Sequence, residues 1–363
     1  MQNTGIMHPG KSNDYVTTKE PSSVPNPQFI ADKTDAIQNQ DNKSSKNKTS
    51  YWNAFVGLFM GLLSGASFAV SDIFALLCIK LGYSPAQALL VKSLVTMAAA
   101  MPFLIYKKVN ILKLSRKDTL LNVVKSLSEN AGDFFYYYGL DFIGMGDTTS
   151  IVVGSLPIFT PILARLFIHE HFRFHDCISI IINIAGIVLI ARPEFIFGDT
   201  TDAPAIGYIY AILTGLGLAI GTVCGREMSD GQSLLVVIFY NGLCGAILML
   251  ILVYPTSSYR MYVLIPQYPI TIAYMVAMVA WYILYLYTYN RALQLLSAGK
   301  VALLANGSMI VGFIADVTVF NREIVYLEFI GAALIILSAA VVCVLVWFET
   351  RKELNENTKL IKN

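Results

Sequence analysis

The sequence predicts an all-α polytopic membrane protein with ten transmembrane helices in two inverted five-helix repeats. Three observations predict this fold class. Hydrophobic residues make up 55% and charged residues 14% of the chain, with a mean hydropathy of +0.59, which excludes an ordinary soluble protein. Apolar windows of about 20 residues recur along the chain, and its two halves resemble each other. The formal net charge of +2 leaves no basic surface of the kind that binds nucleic acid.

Residues 1–50 are polar and are predicted to form a disordered N-terminal tail. From Tyr51 onward, apolar runs alternate with short polar breaks, and each long run is interpreted as a membrane-crossing helix. The predicted helices cover residues 54–79, 85–106, 119–140, 146–168, 174–192, 205–226, 232–254, 268–290, 297–319 and 324–348. The domain organisation that follows is a tail at 1–50, a first repeat at 51–198, a second repeat at 199–348 and a C-terminal tail at 349–363.

The basic residues of the loops predict the orientation, because cytoplasmic loops are enriched in Lys and Arg. An even number of crossings places both termini on one side, together with most of the basic loop residues. The other side holds only Lys80, Arg192, Arg260 and Arg322. Both termini are therefore predicted to be cytoplasmic. No targeting signal in the sequence separates the plasma membrane from the endoplasmic reticulum or Golgi membranes.

Matching residues recur when the two halves are shifted by about 150 residues. In the first helix of each half, Gly57 and Gly65 correspond to Gly207 and Gly215, and Glu170 near the end of the first half corresponds to Glu323. Each half has an odd number of predicted crossings, so the second half enters the membrane from the opposite side and the repeats are inverted. Chance similarity between apolar helices is the alternative explanation.

The predicted third helix, residues 119–140, carries charged residues in its middle. At helical periodicity, one arc of this helix holds Asn122, Lys125, Ser126, Glu129, Asn130, Asp133, Tyr136 and Tyr137. An ionised group at bilayer depth costs at least about 2.5 kcal/mol, so this arc must face protein or water. The pattern is typical of a membrane transporter.

Our hypothesis is that Glu129 or Asp133 responds to protons, while Lys92 and Lys125 neutralise it or hold an anionic substrate. A purely structural ion pair between Lys125 and Glu129 is the alternative. The candidate residues for substrate binding or coupling are Lys92, Lys125, Glu129, Asp133, Tyr136 and Asn306. The secondary candidates are Asp72, Arg165, Tyr282, Lys300 and Asp316.

The function predicted from these residues is alternating-access transport of a small organic metabolite, with an organic anion favoured and proton coupling or exchange left open. Asn306 precedes Gly307, where local unwinding of the predicted ninth helix would expose backbone carbonyls. The alternative function is a non-transporting membrane scaffold or regulator that uses the helical bundle and its polar N-terminal tail.

An enzyme and a metal site are not predicted. The sequence contains neither an HExxH nor a GxSxG motif. The cluster His169, Glu170, His171 and His175 has spacings that spread its side chains around a helix, and Glu170 is already explained by the repeat. No cofactor is expected.

The run DTTSIVVGSLPIFTPILARLFIHEHFRFHDCISIIINIAGIVLIARPEFIFG, residues 147–198, contains Pro157, Pro161 and an Arg-Pro pair at its end. With GYIYAILTGLGLAIGTVCGREM at 207–228, it resembles the EamA-type drug/metabolite transporter superfamily, and within it solute carrier family 35, subfamily G. The resemblance extends over about residues 54 to 348. It implies ten helices around a central cavity that opens alternately to either side. The implied partners are a small-molecule substrate and the lipid bilayer, not nucleic acid; a homodimer is left open.

Overall fold

The structure, a computed structural model, describes residues 27–109, 114–170, 174–191, 194–197, 204–228, 232–256, 269–318 and 326–360, all helical apart from short connections. The helices are α1 (Pro27–Lys80), α2 (Pro85–Tyr106), α3 (Arg116–Phe167), α4 (Phe174–Ala191), α5 (Glu194–Phe197), α6 (Ala205–Glu227), α7 (Leu234–Thr256), α8 (Ile270–Leu295), α9 (Ala298–Ala305), α10 (Ser308–Thr318) and α11 (Tyr326–Leu360). The chain from Thr49 onward forms one compact unit, to which every contact below belongs.

Among the described residues, eight stretches are long and apolar enough to cross a membrane. They are Tyr51–Lys80, Pro85–Tyr106, Thr148–Phe167, Ala205–Glu227, Leu234–Thr256, Ile270–Leu295, Ala298–Ala315 and Tyr326–Lys352. Each overlaps a helix predicted from the sequence. The two other predicted helices fall on the first part of α3, which carries the charged stripe, and on α4, whose apolar part is the shorter stretch Cys177–Ile190.

Helix α3 contains two of the predicted crossings, 119–140 and 146–168, without a described break between them. The Tyr136 hydroxyl nevertheless lies 3.3 Å from the Thr149 hydroxyl. Residues 13 positions apart on a straight α-helix are separated by about 20 Å. Helix α3 therefore bends sharply between Tyr136 and Thr149, which brings its two parts close to each other.

Helix α1 begins at Pro27, inside the segment that composition predicted to be disordered. A polar segment can satisfy its backbone hydrogen bonds within a helix without burying a core, so low hydrophobicity does not decide between the two states. The membrane-crossing part of α1 is Tyr51–Lys80, where the first crossing was predicted. Helix α11 likewise continues to Leu360, within the predicted C-terminal tail.

Equivalent helices of the two repeats pack against each other. Helix α2 packs on α7, and α4 packs on α11, so each of these pairs joins one helix from each half of the chain. Helix α6, which opens the second repeat, packs along α3. Helix α1, which opens the first repeat, contacts α8 and α9 in the corresponding way, through Gly57 and Gly65. When two related halves pack into one bundle, each contact is expected to be made twice, once by each half, as α6 and α1 do here.

Glycines allow these helices to approach closely. A Cβ atom at Gly65 would lie 2.4 Å from the carbonyl oxygen of Ala305, and one at Gly186 would lie 2.8 Å from that of Gly331. Both distances are shorter than van der Waals contact, so any larger residue would push the two backbones apart. Gly57, Gly61 and Gly65 recur every four residues along one face of α1, and this spacing thus serves helix packing.

Local sequence signals explain where two of the elements begin and end. Helix α2 starts with a capping box, in which the Ser84 side chain accepts from the Gln87 backbone N–H and the Gln87 side chain accepts from the Ser84 backbone N–H. The predicted ninth helix is interrupted at Asn306 and Gly307, which separate α9 from α10. The interruption lies at the position where the sequence suggested local unwinding.

Candidate functional site

A cavity of about 500 Å³ lies between the two repeats. Its walls come from α1, α2, both parts of α3, α4, α6, α8, α9 and α10. The lining residues lie toward the end of the bundle at which α1 ends and α2 begins, since α1 contributes residues between 65 and 76 and α2 residues between 88 and 92. A cavity of this size, enclosed by helices of both repeats, can hold a small organic molecule.

One ion pair crosses the cavity wall between α2 and α3. The Lys92 Nζ atom donates to Asp133 Oδ2 over 2.6 Å, and both residues are buried. The same ammonium group lies 3.9 Å from the centre of the Tyr282 ring on α8. Lys92 therefore connects a carboxylate on one wall with an aromatic face on the other.

A second ion pair, between Lys125 and Glu129, lies one turn away on α3. Glu129 also accepts a hydrogen bond of 3.0 Å from the side-chain Nδ2 of Asn241 on α7. The side-chain Oδ1 of Asn241 in turn accepts a hydrogen bond of 3.1 Å from the Tyr282 hydroxyl. Tyr282 thus joins the two ion pairs, contacting Lys92 with its ring and Glu129 through Asn241. Lys125 is 1% exposed and lies behind Glu129, which itself lines the cavity.

Asp72 on α1 is a further carboxylate of the cavity lining. The Tyr137 hydroxyl of α3 donates to Asp72 Oδ1. Among the described residues, Asp72 forms no ion pair. Tyr136, the neighbour of Tyr137, lines the cavity as well. The secondary candidate Asp72 therefore lies in the same cavity as Glu129 and Asp133.

Aromatic side chains form much of the remaining wall. They are Phe68, Tyr136, Tyr137, Tyr282, Tyr285, Tyr289 and Phe313. On α8, consecutive turns place the rings of Tyr282, Tyr285 and Tyr289 against one another, with centroid separations of 5.7 and 5.3 Å. The Tyr289 hydroxyl is 2.6 Å from the Thr222 hydroxyl of α6, which fixes the direction of this ring.

Asn306 lines the cavity at the interruption between α9 and α10. Its side-chain amide donates to Asn183 Oδ1 of α4 over 2.6 Å and to the Val153 carbonyl oxygen of α3 over 3.2 Å. The amide thus holds the broken helix against both neighbours. Its hydrogen bonds give it a structural role in addition to its place in the lining.

Two of the secondary candidates do not join this site, and the side chain of a third is not described. Arg165 is exposed on the second part of α3 and is not part of the lining. Lys300 forms an ion pair with Glu349 of α11, on the side of α9 away from the cavity lining. The side chain of Asp316 lies outside the described residues. Tyr282, by contrast, is buried at the centre of the site.

A cluster of polar contacts lies at the opposite end of the bundle, where α3, α6 and α8 end. The Arg226 guanidinium donates to Glu170 Oε1 over 3.2 Å and to the Leu293 carbonyl oxygen over 2.7 Å. The other Glu170 oxygen accepts from the backbone N–H of Ala298 over 3.1 Å. Glu170, matched in the repeat by Glu323, which lies outside the described residues, thus connects the two repeats.

Sequence reasoning missed Asn241 and Asn183. Each is the one amide in an otherwise largely apolar helix, α7 and α4 respectively. Asn241 connects Glu129 to Tyr282, and Asn183 accepts from Asn306. A strongly polar residue inside an apolar span is a signal for a functional or structural contact, so both could have been identified from the sequence.

The chain matches the sequence model of the EamA-like transporter family twice, at residues 55–192 and 205–344. It is 23% identical over 304 residues to solute carrier family 35 member G1 of Mus musculus, covering 82% of this chain and 80% of that protein. The S-adenosylmethionine uptake transporter of Rickettsia prowazekii is 27% identical over 151 residues, 41% of this chain and 48% of that protein. A solved crystal structure superimposes with a TM-score of 0.65 at 16% identity, covering 82% of this chain and 98% of that one.

Proposed function

The chain belongs to the EamA-like transporter family, whose members are membrane transporters, and from this premise we propose that it carries a small organic solute across a membrane by alternating access. The observation that carries the proposal is the cavity of about 500 Å³ between the two repeats, which is lined by the Lys92–Asp133 ion pair and by Glu129, whose partner Lys125 lies behind the wall. Ionisable groups at this depth are costly and are retained where they serve transport.

The transmembrane arrangement that we propose has ten crossings. The eight apolar stretches are joined by the first part of α3 and by α4. The first part of α3 crosses despite its charges, because Lys125, Glu129 and Asp133 are buried among neighbouring helices and not exposed to lipid. Ten crossings would place both termini on one side, and the distribution of basic loop residues favours the cytoplasmic side.

We further propose that Glu129 or Asp133 couples transport to protons. Protonation of Asp133 would release the Lys92 ammonium group, and protonation of Glu129 would release that of Lys125, because each pair is held by opposite charge. Either event changes a contact between helices, which is what coupling requires. Alternatively, the protein is an exchanger, in which the binding of a charged solute, instead of a proton, separates the ion pair.

An organic anion as the solute, expected from Lys92 and Lys125, needs one of these lysines to leave its carboxylate. Lys92 is the lysine whose side chain lines the cavity, and Asp133 already occupies its ammonium group. An anion would therefore replace Asp133 at Lys92. S-adenosylmethionine, the solute named for the Rickettsia transporters that match 41% of this chain, belongs among the first compounds to test.

The test is counterflow into liposomes that contain the purified full-length protein. Liposomes are loaded in turn with S-adenosylmethionine, an amino-acid mixture or a dicarboxylate mixture, and uptake of the labelled compound is followed at several pH values. A transporter gives saturable uptake that depends on the internal solute. Glu129→Gln and Asp133→Asn should each abolish its pH dependence if that residue couples protons.

Arg165→Gln is the matched control, because Arg165 was a candidate on the sequence but is exposed and away from the cavity. It should transport like the wild type. If no compound in a broad metabolite screen gives saturable counterflow, the non-transporting scaffold becomes the better description. Pull-down with the N-terminal tail, residues 1–50, would then be the next measurement.

A further inference from the structure

The charges around the cavity do not balance. Of the described residues, four charged side chains line it: Asp72, Lys92, Glu129 and Asp133. Lys92 neutralises Asp133, and Lys125 neutralises Glu129 from behind the wall. Among the described residues, Asp72 forms no ion pair of its own: it accepts from the Tyr137 hydroxyl, and the nearby Lys92 ammonium group is already paired with Asp133. The described lining therefore has an excess of one carboxylate.

A hydrogen bond from Tyr137 does not neutralise Asp72. A hydroxyl group stabilises a carboxylate by donating a proton to its lone pair, but the negative charge stays in a largely apolar environment. Such a charge is compensated by a proton or by a cation that enters the cavity. Since Asp72 lines the cavity, a solute can reach it.

The aromatic wall is suited to a cation. The faces of Phe, Tyr and Trp rings are electron-rich and attract positively charged groups placed over them. The protein already contains one such contact, because the Lys92 ammonium group lies 3.9 Å from the centre of the Tyr282 ring. Tyr136, Tyr137 and Tyr285 offer further rings to a solute in the cavity.

The same cavity is electrostatically unfavourable for an anionic solute. It would approach three carboxylates, with both lysines already paired, and would face the negative side of the aromatic rings. We therefore propose that the solute carries a positively charged group, such as an ammonium or sulfonium centre, which binds at Asp72 against the tyrosines of the cavity. This inference rests on the proposed transport function and narrows its substrate class.

Direct binding tests the inference separately from transport. Full-length protein in lipid nanodiscs is titrated with radiolabelled tetramethylammonium, benzyltrimethylammonium and tetraphenylphosphonium, three cations of increasing size. At least one should bind saturably, and Asp72→Asn should weaken it by about tenfold or more. Asp72→Glu should keep most of the affinity. Asp118→Asn, which changes an acid in the first turn of α3 outside the cavity lining, should bind like the wild type.

Three results would overturn the inference: none of the cations binds, Asp72→Asn binds as well as wild type in folded protein, or labelled succinate binds more tightly than every cation. Thermal melting of each variant verifies folding. Counterflow in liposomes separates the two proposals. If cations bind in a way that depends on Asp72 but no flux is seen, the transport proposal is contradicted and the cation site is not. If an anion is transported and Asp72→Asn does not change its flux, the cation site is contradicted and transport is not.

Discussion

The two facing walls of the cavity come from equivalent helices of the two repeats, yet their chemistry differs. The first part of α3 places Glu129 and Asp133 in the wall, with Lys125 behind it, whereas α8, its equivalent, presents Tyr282, Tyr285 and Tyr289. The same architecture is thus built once with charges and once with aromatic rings. Because α8 forms its wall without such charges, we propose that the charged wall carries the specific chemistry of the site.

The largest effect is expected where the charged wall loses a buried countercharge. Lys125→Met keeps the side-chain volume but leaves Glu129 without its cation, and we expect the free energy of unfolding in detergent to fall by about 3 to 5 kcal/mol. The double variant Lys125→Met with Glu129→Gln removes both charges and should be the more stable of the two. Equal stability of the single and double variants would show that the pair is not the cause.

Asp133→Asn tests whether the charged wall works through Lys92. The substitution keeps the shape of the side chain but removes the charge that holds the Lys92 ammonium group. We expect the counterflow rate to fall by about ten- to a hundredfold, the effect of losing about 1.4 to 2.8 kcal/mol of stabilisation. A rate within twofold of wild type would mean that the charge of Asp133 has no role in the transport cycle.

Gly221 on α6 supports the charged wall from behind. A Cβ atom there would lie 2.4 Å from Glu129 Cγ, so Gly221→Ala should displace Glu129 and destabilise the protein by about 1 to 3 kcal/mol. Gly154→Ala is the matched control, because no atom lies within 4 Å of its added Cβ. The melting temperatures of the two variants provide the measurement. Similar values would refute the steric explanation.

The smallest effect is expected on the aromatic wall. Tyr282→Phe keeps the ring over Lys92 and removes the hydroxyl that donates to Asn241, which should cost about 0.6 to 1.5 kcal/mol of stability. Binding of a cationic probe should be retained, since the ring face is unchanged. Tyr282→Leu removes the ring as well and should weaken that binding. If both variants bind the cationic probe equally well, the Tyr282 ring contributes nothing to cation binding.

The sequence predicted the charged wall because ionisable residues in an apolar span are visible without any structure. It also predicted the interruption at Asn306. It predicts two crossings within α3, of which Thr148–Phe167 is among the eight apolar spans of the described residues. The partners across helices could not be predicted in the same way. Whether Asp133 pairs with Lys92 or with Lys125 depends on how α2 and α3 are rotated against each other, and one helical sequence does not determine that rotation.

Arg165 and Lys300 illustrate the same limit. Both are basic residues in predicted crossings, as Lys92 is, but Arg165 is exposed and Lys300 pairs with Glu349 of α11. Periodicity assigns residues to a shared face of a helix; it does not say whether that face is turned toward the cavity or away from it. Asn241 was overlooked for a different reason, since it stands alone and forms no stripe.

The contacts of Arg226 with Glu170 and Leu293 have a thermodynamic consequence. They hold the ends of α3, α6 and α8 together at the end of the bundle away from the cavity, and Lys117 and Glu227 add an ion pair at the same end. A carrier that opens at this end must break them in every cycle. In the alternating-access cycle that we propose, these contacts therefore favour the state closed at this end, and each 1.4 kcal/mol removed would shift the ratio of the two states about tenfold toward the state open there.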